Sequence, residues 1–308
     1  MEKHNKIHIP TSKRQKKENI TGWLMIGLPI IGFILFELMP MIVSGVLSFM
    51  ELRTYNLTDA KWVGFSNFIE IFNDPYFYKS LLNTLYYCVS VIISLILGLI
   101  IAVLLSGKIK GKRFYRTIYF IPYVCSVVAV SYMWQLMYEP NYGILNSLFT
   151  KIGLEKVLWL RDPKWFMPSV IIMQVWCGTG FYIILYQAAI SKVKKELYEA
   201  AEIEGANGIQ KFFHVTFPLI SPTTFYLLVV GTIGGLQAFA QIQVLANGGV
   251  GPDYSGLTVV YYIYIKAFER ITTEGMGIAS AASWITAILI MGITFINFKI
   301  QKYWVNYD

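Results

Sequence analysis

Six stretches of this chain are too long and too poor in charge to fold as ordinary soluble elements. Trp23–Phe49 carries one charged residue, Glu37, and Leu81–Leu105, Thr117–Tyr138, Trp165–Ser191, Ser221–Ala246 and Gly275–Phe298 carry none. Each exceeds the ~20 residues that a helix needs to cross the hydrocarbon of a bilayer. Backbone groups in lipid must be hydrogen-bonded within the protein, so the choice is helices or a closed barrel. A barrel would show alternating segments of about 10 residues, and these runs do not alternate. The expected fold class is therefore all-α integral membrane, with six transmembrane helices. Composition agrees: only 14% of the 308 residues are charged, against about 25% in soluble domains.

Lys and Arg set the orientation. The amino-terminal arm holds Lys3, Lys6, Lys13, Arg14, Lys16 and Lys17, and the loop after the second run holds Lys108, Lys110, Lys112, Arg113 and Arg116. Lys192, Lys194, Lys195 and Lys211 follow the fourth run, and Lys299 and Lys302 follow the sixth. These loops share 17 of the 26 basic residues; the other side has nine, against ten acids. The positive-inside rule makes the basic side cytoplasmic, with both termini inside. The net charge of +8 then reads as a topology and anionic-lipid signal, and no nucleic-acid partner is expected.

Much catalytic chemistry is excluded. Cys88, Cys125 and Cys177 all fall inside the apolar runs, and His4, His8 and His214 share no ligand spacing, so neither a disulfide framework nor a metal site is expected. No G-x-x-x-x-G-K-[ST] loop exists to cradle ATP phosphates. A secondary transporter would want a proton relay or ion site in its spans, and Glu37 alone is poor material for one.

Between the runs, residues 1–20 read as a loose basic arm with Thr21 as a possible cap, and Pro29 and Pro40 should kink or interrupt the first helix. Trp62, Phe65, Phe68 and Phe72 suggest an amphipathic element at the membrane interface, ended by Asn73-Asp74-Pro75. The division expected is an arm (1–20), a first helix with an external segment (21–79), a helical transmembrane core (80–300) and a tail (301–308).

The informative loop follows the fourth run. Glu196 to Glu204 is rich in strong helix formers. Gly205 can cap this helix in the left-handed conformation, and Asn207 or Gly208 can start a second short helix that ends before Pro218. Glu196, Glu199 and Glu202 share one face at i, i+3 spacing, and Ala200 and Ala201 keep the projection slim. The bland alternative is a solvated acidic helix.

The string Glu199-Ala200-Ala201, three residues, Gly205, nine residues, Val215-Thr216-Phe217-Pro218 resembles the EAA motif of binding-protein-dependent ABC permeases. That motif reads Glu-Ala-Ala, three residues, Gly, nine residues, Ile-x-Leu-Pro; here Val replaces Ile and Phe replaces Leu. The resemblance covers nearly the whole chain and is similar to the carbohydrate-uptake branch of maltose, lactose and glycerol-phosphate first-permease subunits. Trp62-Val63-Gly64-Phe65-Ser66-Asn67-Phe68, Asp74-Pro75, Asn83-Thr84-Leu85, Phe120-Ile121-Pro122-Tyr123, Tyr142-Gly143-Ile144-Leu145-Asn146 and Asn247-Gly248-Gly249 stand at matching places.

The resemblance implies a non-catalytic permease of the type I importer fold in a bacterial or archaeal cell (inner) membrane. Residues about 196–206 would be a coupling helix seated in a cytoplasmic ATPase dimer that binds the ATP and Mg, so no cofactor is expected on this chain. A second homologous permease and an extracytoplasmic solute-binding protein would complete the assembly, and a sugar would be the substrate. Glu199, Ala200, Ala201, Gly205 and Pro218 carry the coupling role. The resemblance places the sugar path at Gln174, Gly178, Phe181, Gln237 and Gln241. Read from the residues alone, Gln174, Gln237 and Gln241 offer hydrogen bonds and Phe181 a flat apolar face beside Gly178; such residues in spans line a cavity or pack on another helix, and both readings stay open for these five. A permease for a non-sugar solute is the alternative within the same superfamily.

Overall fold

The computed structural model describes residues 13–52, 56–107, 109–269 and 275–307. Residues 1–12 of the basic arm, with Lys3, Lys6, His4 and His8, lie outside them, as does Lys108. The all-helical expectation holds. Five helical stretches, 17–47, 75–106, 163–190, 208–236 and 275–303, are long and apolar enough to cross a membrane.

The first begins earlier than its apolar run. Helix α1 (Lys13–Phe33) already includes residues 13–20, so that part of the arm is not loose, and Thr21 lies inside the helix rather than capping it. Lys, Arg, Gln and Glu are good helix formers, and adding turns to an existing helix avoids a new nucleus. Pro29 leaves α1 unbroken. Before Pro40 the helix widens into a π-turn, Ile34–Leu38, where the Met39 amide donates to the Ile34 carbonyl, and then continues as α2 (Met39–Leu47). A proline ring presses on the carbonyl four residues back, and the extra residue in the turn makes room. Glu37 sits in this π-turn, exposed. The most apolar window of 17–47 has no buried residue.

A two-residue hairpin follows, β1 (Met50–Glu51) antiparallel to β2 (Lys61–Trp62), with Met50 opposite Trp62. Asn67 donates from Nδ2 to the carbonyls of Ser48 and Met50, both at 2.9 Å, and so fastens helix α3 (Ser66–Asn73) to it. In α3 Ile71 is buried while Phe65 before it, Ile69 and Phe72 stay exposed, the amphipathic element expected. Asp74 then caps α4 (Pro75–Ser106) by accepting from the Tyr76 amide, with Pro75 in the first turn. The same Asp-Pro device, Asp162-Pro163, starts α8 (Pro163–Ile190).

The third run corrects the straight span expected over Thr117–Tyr138. It forms two helices, α5 (Lys112–Val124) and α6 (Val127–Met137), bent by 99°, which count as a sixth span only if taken together. Cys125 and Ser126 are extended at the bend. Pro122 removes one hydrogen bond from the last turn of α5, and the two halves answer to different partners. Helix α5 lies on α8 where Gly180 has no side chain: a Cβ there would fall 1.9 Å from the Tyr119 carbonyl oxygen. Helix α6 instead meets α12 (Ala240–Leu245), and Gln135 donates to Asn247 Oδ1 at 2.6 Å.

Short helices close the connecting segments. Asn146 of α7 (Ile144–Lys151), 2% exposed, donates to the Pro140 and Val157 carbonyls and accepts from the Val157 amide and the Trp159 indole. The core gathers Phe77, Tyr138, Phe166 and Ile242 around α13 (Val259–Tyr264). Asn83 donates to the Tyr254 and Leu257 carbonyls, and Thr84 Oγ1 accepts from the Val259 amide. Thus Asn67, Asp74, Asn83, Thr84 and Asn146, each in a motif-like segment, are all structural clamps. After α14 (Gly275–Ile300) the tail folds back: the Asn306 amide donates to Ser221 Oγ at 2.9 Å, and Trp304 meets Phe225.

One clamp joins residues 192 apart. Asp74 Oδ2 accepts from Lys266 Nζ at 3.0 Å and from Tyr262 Oη at 2.8 Å. Burial pushes the Asp74 carboxyl up, but the hydrogen bonds from Lys266, Tyr262 and the Tyr76 amide outweigh it and hold the group below its ordinary value. A depressed carboxylate contributes stability above its unfolded pKa and loses it as pH falls through the folded one. Asp74→Asn takes the carboxylate charge away from Lys266 Nζ, which is itself largely buried. It is expected to cost about 3 kcal/mol, read as a lower thermal midpoint in detergent at pH 7. At a pH low enough to protonate Asp74 the wild type and variant midpoints should converge.

Candidate functional site

Two features stand out, a helical corner in the basic loop and a broken helix in the fifth run. The corner begins with α9 (Lys195–Ile203), close to the 196–206 expected. Its end is closed as the sequence predicts. Gly205 has φ +83°, its amide donates to the Glu202 carbonyl at 3.0 Å, and the Ala206 amide reaches the Ala201 carbonyl at 2.9 Å. This pair of bonds satisfies carbonyls that a helix end otherwise leaves free, and it needs a left-handed residue where glycine alone is unstrained. Asn207 then opens α10 (Gly208–Lys211) with reciprocal bonds to Gln210, 2.9 and 2.8 Å.

The second helix does not end before Pro218. A π-turn, Phe212–Thr216, carries α10 directly into α11 (Phe217–Leu236), the Phe217 amide donating to the Phe212 carbonyl. Pro218 follows the wide turn just as Pro40 does, so the clash that would stop an α-helix does not arise. The corner is thereby continuous with a membrane-spanning helix. Two side-chain bonds staple it: Lys211 Nζ to Glu202 Oε1 at 2.7 Å, and Tyr198 Oη with Thr216 Oγ1 at 3.0 Å. Lys211 holds the Glu202 carboxyl below its ordinary value.

Glu202 is therefore engaged, leaving Glu196 and Glu199 as the exposed acids of that face. Ala200 is exposed and Ala201 half-buried. The tip also carries what the acidic spacing hid: Ile203 is 88% exposed and Ile209 71%, with Phe213 and Leu197 exposed beside them. An apolar residue in an amphipathic helix reads in sequence as core-facing. Only the turn at Gly205 shows that Ile203 faces outward.

The fifth run, expected as one helix over Ser221–Ala246, is broken. Helix α11 ends at Leu236, Gln237–Phe239 are non-helical, and α12 resumes at Ala240. Gly234 and Gly235 weaken the helix here, and Thr258 Oγ1 donates to the Ala238 carbonyl at 2.7 Å, taking up a group that the break releases. Irregular backbone at membrane depth is tolerated where it lines a cavity or is buried in protein. Here it does line one, of about 760 Å³, whose walls include Gln237, Gln241, Ser283 and Thr286. Gln241 also donates to Tyr87 Oη.

The remaining path residues form a separate cluster. A Cβ on Gly178 would stand 3.5 Å from Gln174 Nε2 and 3.5 Å from Ser94 Oγ, so these three adjoin across α8 and α4. Phe181 stacks on Tyr123 of α5, ring centroids 4.9 Å apart. None of Gln174, Gly178 and Phe181 lines the cavity at Gln237. Trp176 faces elsewhere, edge-on to Trp134. Among the described residues no three His, Cys, Asp or Glu converge as metal ligands.

Comparison with known proteins matches residues 94–305 to the family of binding-protein-dependent transport system inner membrane components. The probable ABC transporter permease protein YesP of Bacillus subtilis (strain 168) is 33% identical over 302 residues, covering 96% of this chain and 95% of its own length. The lactose transport system permease protein LacF of Rhizobium radiobacter is 31% identical, covering 93% and 96%. In structure, a chain of a bacterial alginate ABC transporter, crystallised in complex with an alginate pentasaccharide-bound periplasmic protein, superposes with a TM-score of 0.80. It is 26% identical and covers 94% of this chain and 96% of its own.

Proposed function

Because the chain belongs to the family of binding-protein-dependent transport system inner membrane components, we propose that it is the permease subunit of an ATP-driven importer of a sugar or oligosaccharide. Its relatives include permeases for lactose, arabinooligosaccharides and diacetylchitobiose. The chain performs no hydrolysis itself. A solute-binding protein delivers the sugar outside, a second permease completes the path, and a cytoplasmic ATPase dimer binds ATP and Mg. Both termini and the corner lie on the cytoplasmic side, where the basic residues gather.

The observation that carries this reading is the corner. A projection transmits force only if it cannot bend, and this one is closed by Gly205, capped by Asn207, stapled at Glu202–Lys211 and Tyr198–Thr216, and continuous with a spanning helix. Ile203, Ile209 and Glu199 form its contact surface toward the ATPase. Closure of the ATPase dimer moves α9 and α10, and α11 carries the motion through its length to the break at Gln237. There the cavity opens alternately to the two sides.

The test is uptake of a labelled sugar panel by whole cells, with membrane insertion and ATPase co-purification measured in parallel. Glu199→Lys and Ile203→Glu should insert normally, lose most uptake and release the ATPase. Normal uptake with the ATPase retained would reduce the corner to a surface loop. Gln241→Leu removes the amide from the cavity wall together with its bond to Tyr87 Oη. It should raise the half-saturating sugar concentration about three- to tenfold, the worth of one hydrogen bond, leaving insertion and ATPase binding intact.

A further inference from the structure

A cavity of about 600 Å³ lies behind the corner, walled by the ends of α4 and α8, the start of α5 and the inner sides of α9 and α10. That volume suits a small ligand. Four cations, Lys112, Arg116, Lys195 and Lys211, stand in its wall, and no carboxylate does. Lys211 is engaged by Glu202, and Lys112 donates to the Ser106 carbonyl at 3.2 Å. Arg116 and Lys195 have no ion-pair partner among the described residues and are exposed.

The same wall includes Gln187, 4% exposed, whose Oε1 and Nε2 both lack a hydrogen-bond partner among the described residues. A buried amide in that state is unfavourable and rare. It asks for a ligand that both accepts and donates. Leu104 and Phe114, exposed apolar neighbours in sequence of the wall residues Val103 and Lys112, suit a lipid-facing surface at this level.

We propose that this cavity binds a hydroxyl-bearing phosphate ester, the headgroup of an anionic phospholipid such as phosphatidylglycerol. The phosphate is neutralised by Arg116, Lys195 and Lys112. The Gln187 amide atoms are closed to solvent; on a rotation of that side chain toward the cavity, the phosphate oxygens accept from Nε2 and a headgroup hydroxyl donates to Oε1. Basic pockets between spanning helices on the cytoplasmic side suit such headgroups. Occupancy bridges α5, α8 and the inner side of the corner, so the headgroup also braces the projection against its own helices. The lipid source rests on the cytoplasmic placement of the corner proposed above; the anion-binding chemistry does not.

The transporter, purified with its co-purifying subunits, is placed in nanodiscs of phosphatidylcholine with or without phosphatidylglycerol, released, and weighed intact for retained lipid. Thermal shift with glycerol phosphate and with inorganic phosphate forms a second arm. Wild type should retain phosphatidylglycerol selectively, and Lys112→Gln with Arg116→Gln should lower that selectivity about thirtyfold, the worth of two cations at an anionic headgroup. Arg116→Lys should keep most of it, and Gln187→Glu, which keeps the side-chain volume, should lose it. Protection by glycerol phosphate alone, lost in the same variants, would support the site with a soluble ester as its source. No selectivity in either arm, or selectivity unchanged by the variants, overturns the proposal. Lipid retention is read without transport, and wild-type uptake separately decides the import reading.

Discussion

Gly205→Pro is expected to abolish uptake while the chain still inserts in the membrane. Proline fixes φ near −65°, and residue 205 stands at +83° with its amide donating to the Glu202 carbonyl. The substitution therefore removes a bond and forces the chain out of the turn, at a cost of ~3 kcal/mol or more. The turn is local, so the spanning helices stay in place while α9 loses its angle to α10. ATPase co-purification should fall with uptake. Gly205→Ala provides the graded control: its cost of ~1–2 kcal/mol for the left-handed region should leave partial uptake. Normal transport by Gly205→Pro would mean that nothing is read through this turn.

A second substitution strikes the fold itself. Gly180→Val places a Cβ 1.9 Å from the Tyr119 carbonyl oxygen and 2.7 Å from its carbon. Both are backbone atoms, so no side chain can swing aside, and α5 must lift from α8. Overpacking typically costs ~1–3 kcal/mol, and a clash this deep belongs above that range. Loss of the detergent-stable protein is expected, seen as aggregation in size-exclusion chromatography. Gly178→Ala, two residues away, meets only side-chain atoms at 3.5 Å. It should leave the fold intact and alter uptake alone, through its neighbours Gln174 and Ser94.

The local devices in this chain were legible from sequence. Gly205 as a left-handed cap, Asn207 as a helix start and Asp74-Pro75 as a boundary depend on neighbours within a few residues, and each stands as expected. The breaks were not legible because long-range partners set them. The bend at Cys125 follows from where α5 and α6 find α8 and α12, and the end of α11 coincides with Thr258, twenty residues from the carbonyl it caps. Proline misled in the other direction, since a stop signal before Pro218 became a π-turn inside a longer helix. Motif-like polar residues such as Asn83 and Asn146 proved to be clamps. The outward-facing Ile203 hid among apolar positions because exposure is not written in spacing.

The first helix carries a consequence for the membrane around it. Its 31 apolar-rich residues, 17–47, rise about 46 Å, against ~30 Å of hydrocarbon. Its most apolar window has no cover from this chain. It meets the body near its far end, where Gly45 faces Trp284 of α14. A rod longer than its solvent is deep, held at one end, takes its slope from the thickness of that solvent. Shorter acyl chains lay it over and longer ones stand it up, and the hinge of that tilt falls where Gly45 meets Trp284 of α14.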